Sequence, residues 1–329
     1  MNQAQFEARH SVEWREFESW LDALGARKDA SAGMNARRWP HRYRAVAHHL
    51  ALARDRAYGP ELVDRLQHLA LRGHQALYGS RGNAMGAIIE FIGSGFPALV
   101  RRESTLIWIA IALLFVPLLG LIAVLLRWPD FVHYLASPAQ LLQYESMYAP
   151  SNRALGPQHQ AGSQLMMFGY YIWNNVKIDF QCFAGGMLFG VGSVFFMLFN
   201  GMMIGAVAGH LTQLGYIPTF WGFVAGHSSW ELLGAAISGA AGLKVGWALI
   251  APGPHARTDA LKIASRTAVR LLYGAAGMTT CAAFIEAFWS SLRNLPAEIK
   301  YAVGIAFWVL FLLYFLFAGR NREGERDGD

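Results

Sequence analysis

The run from Thr105 to Leu126 limits the possible folds most, because it is long, apolar and free of charged residues. A helix of this length crosses the roughly 30 Å hydrocarbon core of a bilayer. The whole chain agrees with that reading, since 54% of its residues are hydrophobic and only 15% are charged. Such a composition is too apolar for an ordinary water-soluble protein. The sequence therefore predicts an integral membrane protein.

Further apolar segments follow this first span, and two of them are interrupted. Asn200-Gly201 breaks one segment and Gly226-His227 breaks another, so each is either one kinked helix or two shorter ones. We expect five to six spans within residues 104–319. The apolar segments after the first are Phe180–Leu214, Phe220–Ile250, Arg266–Trp289 and Ala302–Phe317.

The N-terminal region shows a helical rather than a membrane-spanning pattern. Apolar residues recur at three- and four-residue steps in residues 6–24, 42–57 and 62–77, as in amphipathic helices. Residues 1–103 are expected to form a small helical, membrane-proximal cytoplasmic region, and residues 320–329 a polar tail. The predicted fold is all-α: a polytopic transmembrane helical bundle with this N-terminal region attached.

The positive charges are clustered along the chain, whose formal net charge is +6. They lie mostly before Arg102, between Arg257 and Arg270, and in the last ten residues. Lys and Arg favour cytoplasmic loops, so we expect all three regions to be cytoplasmic and Trp128–Asp179 to be outside. This arrangement requires an even number of crossings. No nucleic-acid-binding motif accompanies the charge, so no nucleic-acid partner is expected.

Small residues recur at four-residue steps in two of the apolar segments. The first glycine stripe is Gly201, Gly205 and Gly209, and the second is Gly234, Ser238, Gly242 and Gly246. This pattern lets membrane helices approach closely. We expect one stripe to pack within the chain and the other to be available for self-association in a homodimer.

Ionisable and amide side chains in the apolar segments form the candidate functional site. His227 and Glu231 are one helical turn apart and are expected to point into the bundle. They serve either as an ion, proton or substrate site or as a structural hydrogen-bonded pair. Glu286 and the amides Asn174, Asn175 and Asn200 are further candidates for a shared polar cavity.

Motifs for catalysis are missing from the sequence. There is no G-x-S-x-G, no phosphate-binding G-x-x-x-x-G-K and no H-E-x-x-H, and Cys182 and Cys281 lack the spacing of metal ligands. We therefore expect no enzymatic activity, no metal and no cofactor.

Taken together, these residues resemble the stage II sporulation protein M family of bacterial membrane proteins. The most specific segments are Trp173-Asn174-Asn175, Asn200-Gly201, His227 with Glu231, and Pro252-Gly253. Upstream, Leu66, Arg72 and His74 are similar to members with a longer N-terminal region. The chain has Ser228 where the family has a glycine after the histidine.

The resemblance implies location in the bacterial inner membrane and a role with other envelope proteins. The family's namesake scaffolds extracytoplasmic peptidoglycan-degrading partners, and the family is usually described with about five spans. A non-enzymatic scaffold or complex subunit in cell-envelope processes is therefore the first hypothesis. The alternative is a transporter or channel-like protein with a polar intramembrane site around His227 and Glu231.

Overall fold

The computed structural model describes residues 1–25, 39–78, 84–152, 155–156, 164–292 and 294–320. The predicted C-terminal tail beyond residue 320 lies outside these residues. All regular structure in the described part is helical, as predicted. The helices are α1 (Gln3–Gly25), α2 (Trp39–Asp55), α3 (Pro60–Tyr78), α4 (Ala84–Glu90), α5 (Phe96–Arg102), α6 (Ser104–Arg127), α7 (Pro138–Tyr148), α8 (Gln164–Ala184), α9 (Val191–Gln213), α10 (Ile217–Val224), α11 (Ser228–Ile250), α12 (Arg257–Ile285) and α13 (Ala297–Phe317).

The chain forms two compact units, Met1–Ile89 and Glu90–Asp329. This boundary differs from the sequence-based one at residue 103. The reason is that Phe96, Leu99 and Val100 are buried in the same hydrophobic cluster as α6 and α11.

The first unit contains the three predicted amphipathic helices, α1, α2 and α3. Their apolar faces form one core, built around Phe6, Trp14, Phe17, Val46 and Leu66. Burial of apolar surface holds these helices together, because that surface leaves water when they pack.

The second unit is a helical bundle with an apolar outer surface. Among its described residues, five helices are long and apolar enough to cross a membrane: Ser104–Arg127, Val191–Gln213, Ser228–Ile250, Arg257–Ser290 and Ala297–Phe317. Large side chains such as Trp108, Val116 and Leu312 are exposed on this surface. An exposed apolar surface of this extent is expected where lipid rather than water surrounds the protein.

Helix α8 and the turn after it differ from the sequence-based segmentation. It begins at Gln164, within the stretch predicted to lie outside, and its 21 residues are long enough to cross a bilayer. The break in the segment Phe180–Leu214 falls at residues 185–190, where Gly190 adopts a φ of 81° before α9. Asn200-Gly201, the predicted break, lies inside α9.

Four helix ends meet at one end of the bundle. Lys244 near the end of α11 donates a 2.8 Å hydrogen bond to Glu103, just before α6. Arg102 donates to Thr267 in α12, and Arg101 donates to the carbonyl oxygen of Phe315 near the end of α13. The start of α6 and the end of α13 therefore lie at the same end of the bundle, which predicts an even number of crossings if α8 is counted with the five apolar helices.

Candidate functional site

Four helices bring polar side chains together around a small cavity in the bundle. Asn175 and Asp179 come from α8, Asn200 from α9, Glu231 from α11 and Thr279 from α12. About 20 Å³ of the cavity is accessible to the centre of a water molecule, which is room for one. Apolar side chains, among them Leu114 and Ile204, complete the lining. Leu114 and Asn200 lie near the midpoints of α6 and α9, so the cavity lies at mid-depth in the bundle.

Asp179 is the most deeply buried acid of the cavity, with 1% of its surface exposed. Thr279 Oγ1 donates a 2.8 Å hydrogen bond to Asp179 Oδ2. Within the described residues, Asp179 Oδ1 has no hydrogen-bond partner, although Ser238 faces Asp179 from α11. Buried polar atoms are normally paired, so an unpaired carboxylate oxygen calls for a ligand or a proton.

Two further acids belong to this region, Glu231 in the cavity lining and Glu286 nearby. Glu231 interacts electrostatically with both Asp179 and Glu286. Glu286 is 8% exposed and begins the π-helical turn Glu286–Ser290 that follows α12. The Asn175 side chain faces Glu286. Among the described residues, no Lys or Arg lies within 4 Å of any of the three carboxylates.

A comparison with known protein families identifies the family to which this bundle belongs. A family model described as stage II sporulation protein M matches residues 105–291, which is more than half of the chain. The chain belongs to the stage II sporulation protein M family. A second model, described as a domain of unknown function (DUF8413), matches residues 4–79, which form most of the first unit. No curated protein and no solved structure matches the chain significantly.

In this member of the stage II sporulation protein M family, His227 lies beside the cavity rather than in its lining. It is 3% exposed and lies at the break between α10 and α11. His227 Nδ1 is 3.0 Å from Ser290 Oγ, while His227 Nε2 is 3.8 Å from Glu231 Oε2. The histidine and glutamate thus face each other, but the closer partner of His227 is a serine on another helix.

The three candidate amides all lie within helices, Asn174 and Asn175 in α8 and Asn200 in α9. Asn175 is buried in the middle of α8, and its Nδ2 has no hydrogen-bond partner among the described residues. Asn174 is next to it and donates to Asn175 Oδ1. Asn200 donates to the Phe196 carbonyl within α9 and lines the cavity. Asn175 and Asn200 therefore line the cavity, and Asn174 is not part of its lining.

Both glycine stripes pack inside the chain. Gly201, Gly205 and Gly209 contact α6, with the Leu118 carbonyl oxygen only 2.5 Å from where a Cβ of Gly205 would lie. In the second stripe, Gly234 contacts α12 and Gly246 contacts Gly190. This corrects the expectation that one stripe is left for self-association, because neither faces outward.

Asp179 and Thr279 were missed by the sequence analysis. The signal was present in α8, since Tyr171, Asn175 and Asp179 recur every four residues and are all buried. Assigning this stretch to an outside loop hid that pattern. The assembled group of oxygen-bearing side chains suits the binding of a proton or a hard cation.

Proposed function

We propose that this protein is a non-enzymatic scaffold or complex subunit of the bacterial cell envelope. The observation that carries this proposal is the membership of the stage II sporulation protein M family, over residues 105–291. The family is named for sporulation, a process of envelope remodelling, and its name refers to no reaction. Other envelope proteins are the proposed partners, and the inner membrane is the proposed location.

The packing of the bundle supports a role that needs a fixed shape. Gly186 and Gly242 bring the α8–α9 turn and α11 into backbone contact, and a Cβ added to Gly186 would lie 2.0 Å from the Gly242 carbonyl oxygen. Close packing of small residues stabilises helix association where lipid provides no hydrophobic driving force. A rigid bundle presents its loops in constant positions, which is what a docking platform requires.

The loop end near α7 offers a site to test partner binding. Tyr134 follows α6 and is 84% exposed, whereas Val132, two residues earlier, is 2% exposed. We expect a photo-crosslinking amino acid at Tyr134 to give a discrete adduct with an envelope protein in intact cells. The same amino acid at Val132 is the matched control and should give none.

Mass spectrometry of the adduct identifies the partner. Recovery of one envelope protein in repeated experiments supports the scaffold role. The proposal fails if no protein adduct forms at Tyr134 while the purified protein, reconstituted in liposomes, carries a solute across the membrane. That second result would favour the alternative, a transporter or channel-like protein with its polar site around His227 and Glu231.

A further inference from the structure

Three arginines lie together at the end of the bundle where α6 begins and α13 ends. Arg266 and Arg270 are one turn apart on α12, and both are exposed. Arg102 is also exposed, and it reaches α12 from the end of α5 to donate a 3.0 Å hydrogen bond to Thr267. Thr267 directly follows Arg266 and lies one turn before Arg270. The hydrogen bond therefore brings all three arginines to the same part of α12.

The carboxylates of this region do not balance the charge of the arginines. Glu103 pairs with Lys244 at 2.8 Å and with Arg102 at 3.5 Å, so two cations share this one carboxylate. In the described part of the chain, no carboxylate lies within 4 Å of Arg266 or Arg270. An anion from outside the chain would therefore find two guanidinium groups without a counter-charge.

The contact between Arg102 and Thr267 also fixes the depth of the arginines. Arg102 ends α5 just before the first membrane-spanning helix, so Thr267 lies at the level of the bundle's end. About 15 Å of α12 extends beyond that level, whereas Arg270 lies about 4.5 Å inside it. Side chains lean toward the N-terminus of their helix, so the Arg270 guanidinium is directed back toward the membrane surface. Phospholipid headgroups lie at this depth.

The outer face of α12 continues from the arginines into the lipid-facing surface. Tyr273 is 68% exposed, and a Cβ at Gly277 would meet nothing within 4 Å. Both lie on the same side of α12 as Arg270, since they follow it by three and seven residues. The ring centre of Phe91 is 5.8 Å from the Arg270 guanidinium carbon, and the adjacent Ile92 is 55% exposed. The basic site is thus joined to a surface for acyl chains.

We propose that Arg102, Arg266 and Arg270 bind the phosphate of an anionic phospholipid whose acyl chains lie along Tyr273 and Gly277. Guanidinium groups bind phosphate through paired N–H donors, and basic pockets between helices at the membrane surface bind anionic headgroups. The adjoining apolar surface favours a lipid over a soluble phosphate compound, because only the lipid covers that surface as well. This site goes beyond the scaffold role and does not depend on it.

Native mass spectrometry of the full-length protein in detergent measures the binding of added lipid. Dioleoyl phosphatidylglycerol is compared with dioleoyl phosphatidylcholine, which has the same acyl chains and no net charge. We expect the anionic lipid to bind more tightly. Arg266→Gln and Arg270→Gln should each weaken its binding about fivefold, the contribution of one cation near a membrane surface. Binding of phosphatidylcholine should not change.

Arg127→Gln is the matched control. Arg127 is also exposed and also lies over an aromatic ring, 5.4 Å from the ring centre of Trp128, but it is at the other end of α6. Its substitution should leave phosphatidylglycerol binding unchanged. The proposal is overturned if the two lipids bind equally or if Arg127→Gln weakens binding as much as Arg270→Gln does. It is also overturned if inorganic phosphate, at matched ionic strength, competes as strongly as the lipid.

Photo-crosslinking in liposomes tests the wild-type protein, so its result does not depend on the folding of a variant. Phosphatidylglycerol and phosphatidylcholine analogues carry the same photoactivatable acyl chain, and peptide mass spectrometry maps the adducts. We expect the anionic analogue to be enriched on the peptide with Tyr273 and Gly277, and both analogues to label the exposed Val116 of α6 equally. Equal labelling at Tyr273 would contradict the proposal. None of these outcomes bears on cross-linking at Tyr134, so the two proposals fail separately.

Discussion

At the scale of single residues, a buried histidine shows how packing fixes a protonation state. His49 is 7% exposed in the core of the first unit, and Trp14 Nε1 donates a 3.1 Å hydrogen bond to His49 Nδ1. The proton of neutral His49 is therefore on Nε2, toward His10, whose ring centre is 4.0 Å away. His10, Glu13 and His49 lie close enough to hold a metal. However, the Trp14 hydrogen bond favours a packed pair of His10 and His49 over a metal site. The protonated Nε2 of His49 has no free lone pair with which to bind a metal.

This pair predicts a stability that depends on pH. Burial, followed by the nearby His10, lowers the pKa of His49 from 6.5, while Glu13 opposes the shift and His48 adds to it. The unfolded chain then binds a proton at a higher pH than the folded chain. The contribution of His49 to the stability of the first unit is therefore present above about pH 6.5 and is lost as the pH falls through the lower pKa of the folded state.

Hydrogen exchange of the full chain, in peptides from α1 and α2 and corrected for intrinsic rates, measures this effect. His49→Asn keeps an acceptor for Trp14 but cannot be protonated, so the pH dependence should shrink. His48→Asn, at the neighbouring and more exposed position, should retain it. Equal pH dependence in His49→Asn and wild type would refute the assignment.

The candidate site shows which single residues a sequence can reveal. His227 and Glu231 share one helix, so their four-residue spacing was enough to predict that they face each other. Asp179, Glu231 and Thr279 lie on three helices, and their meeting depends on how those helices pack. Local spacing does not contain that information, and Ser290, the closer partner of His227, was missed for the same reason.

At the scale of elements, small residues decide how closely the helices approach. A Cβ at Gly242 would lie 2.2 Å from Ser193 Oγ and 2.5 Å from the Cys182 carbonyl oxygen, whereas a Cβ at Gly277 meets nothing within 4 Å. Gly242→Ala should therefore destabilise the bundle by about 1–3 kcal/mol through overpacking. Gly277→Ala should be neutral or stabilising by up to about 1 kcal/mol, since alanine favours the helix.

Unfolding of both variants in detergent measures the difference. Equal stabilities would show that the α11 contact is loose enough to admit a methyl group.

The existence of the helices was predictable from the apolar runs, and the small-residue stripes predicted close packing. The partner of each stripe was not predictable, because a stripe specifies that something lies close but not which helix it is.

At the scale of the whole molecule, the polar α8 decides the number of crossings. It is less apolar than the five helices that satisfy the criteria for a span, because its buried face carries Tyr171, Asn175 and Asp179. A helix that lines the centre of a bundle can be polar, since its inner face meets protein rather than lipid. Hydropathy alone identifies five candidate spans in the described residues, whereas the clustering of positive charge predicts an even number with α8 as the sixth.

The six-helix arrangement predicts which loops reach the cell exterior. With the arginine-rich N-terminal side in the cytoplasm, Thr258 near the start of α12 is cytoplasmic and Ser151 after α7 is outside. Both residues are exposed, so a cysteine at either position would be accessible from its own side.

In a background with Cys182→Ala and Cys281→Ala, an impermeant thiol reagent added to intact cells should label Ser151→Cys and leave Thr258→Cys unlabelled. Thr258→Cys should react only after the membrane is permeabilised, which shows that the residue is accessible from the inner side. Labelling of Thr258→Cys alone in intact cells would show that the protein has the opposite orientation in the membrane. Labelling of both in intact cells would place them on the same side, which requires an even number of crossings between them and removes α8 from the set of spanning helices.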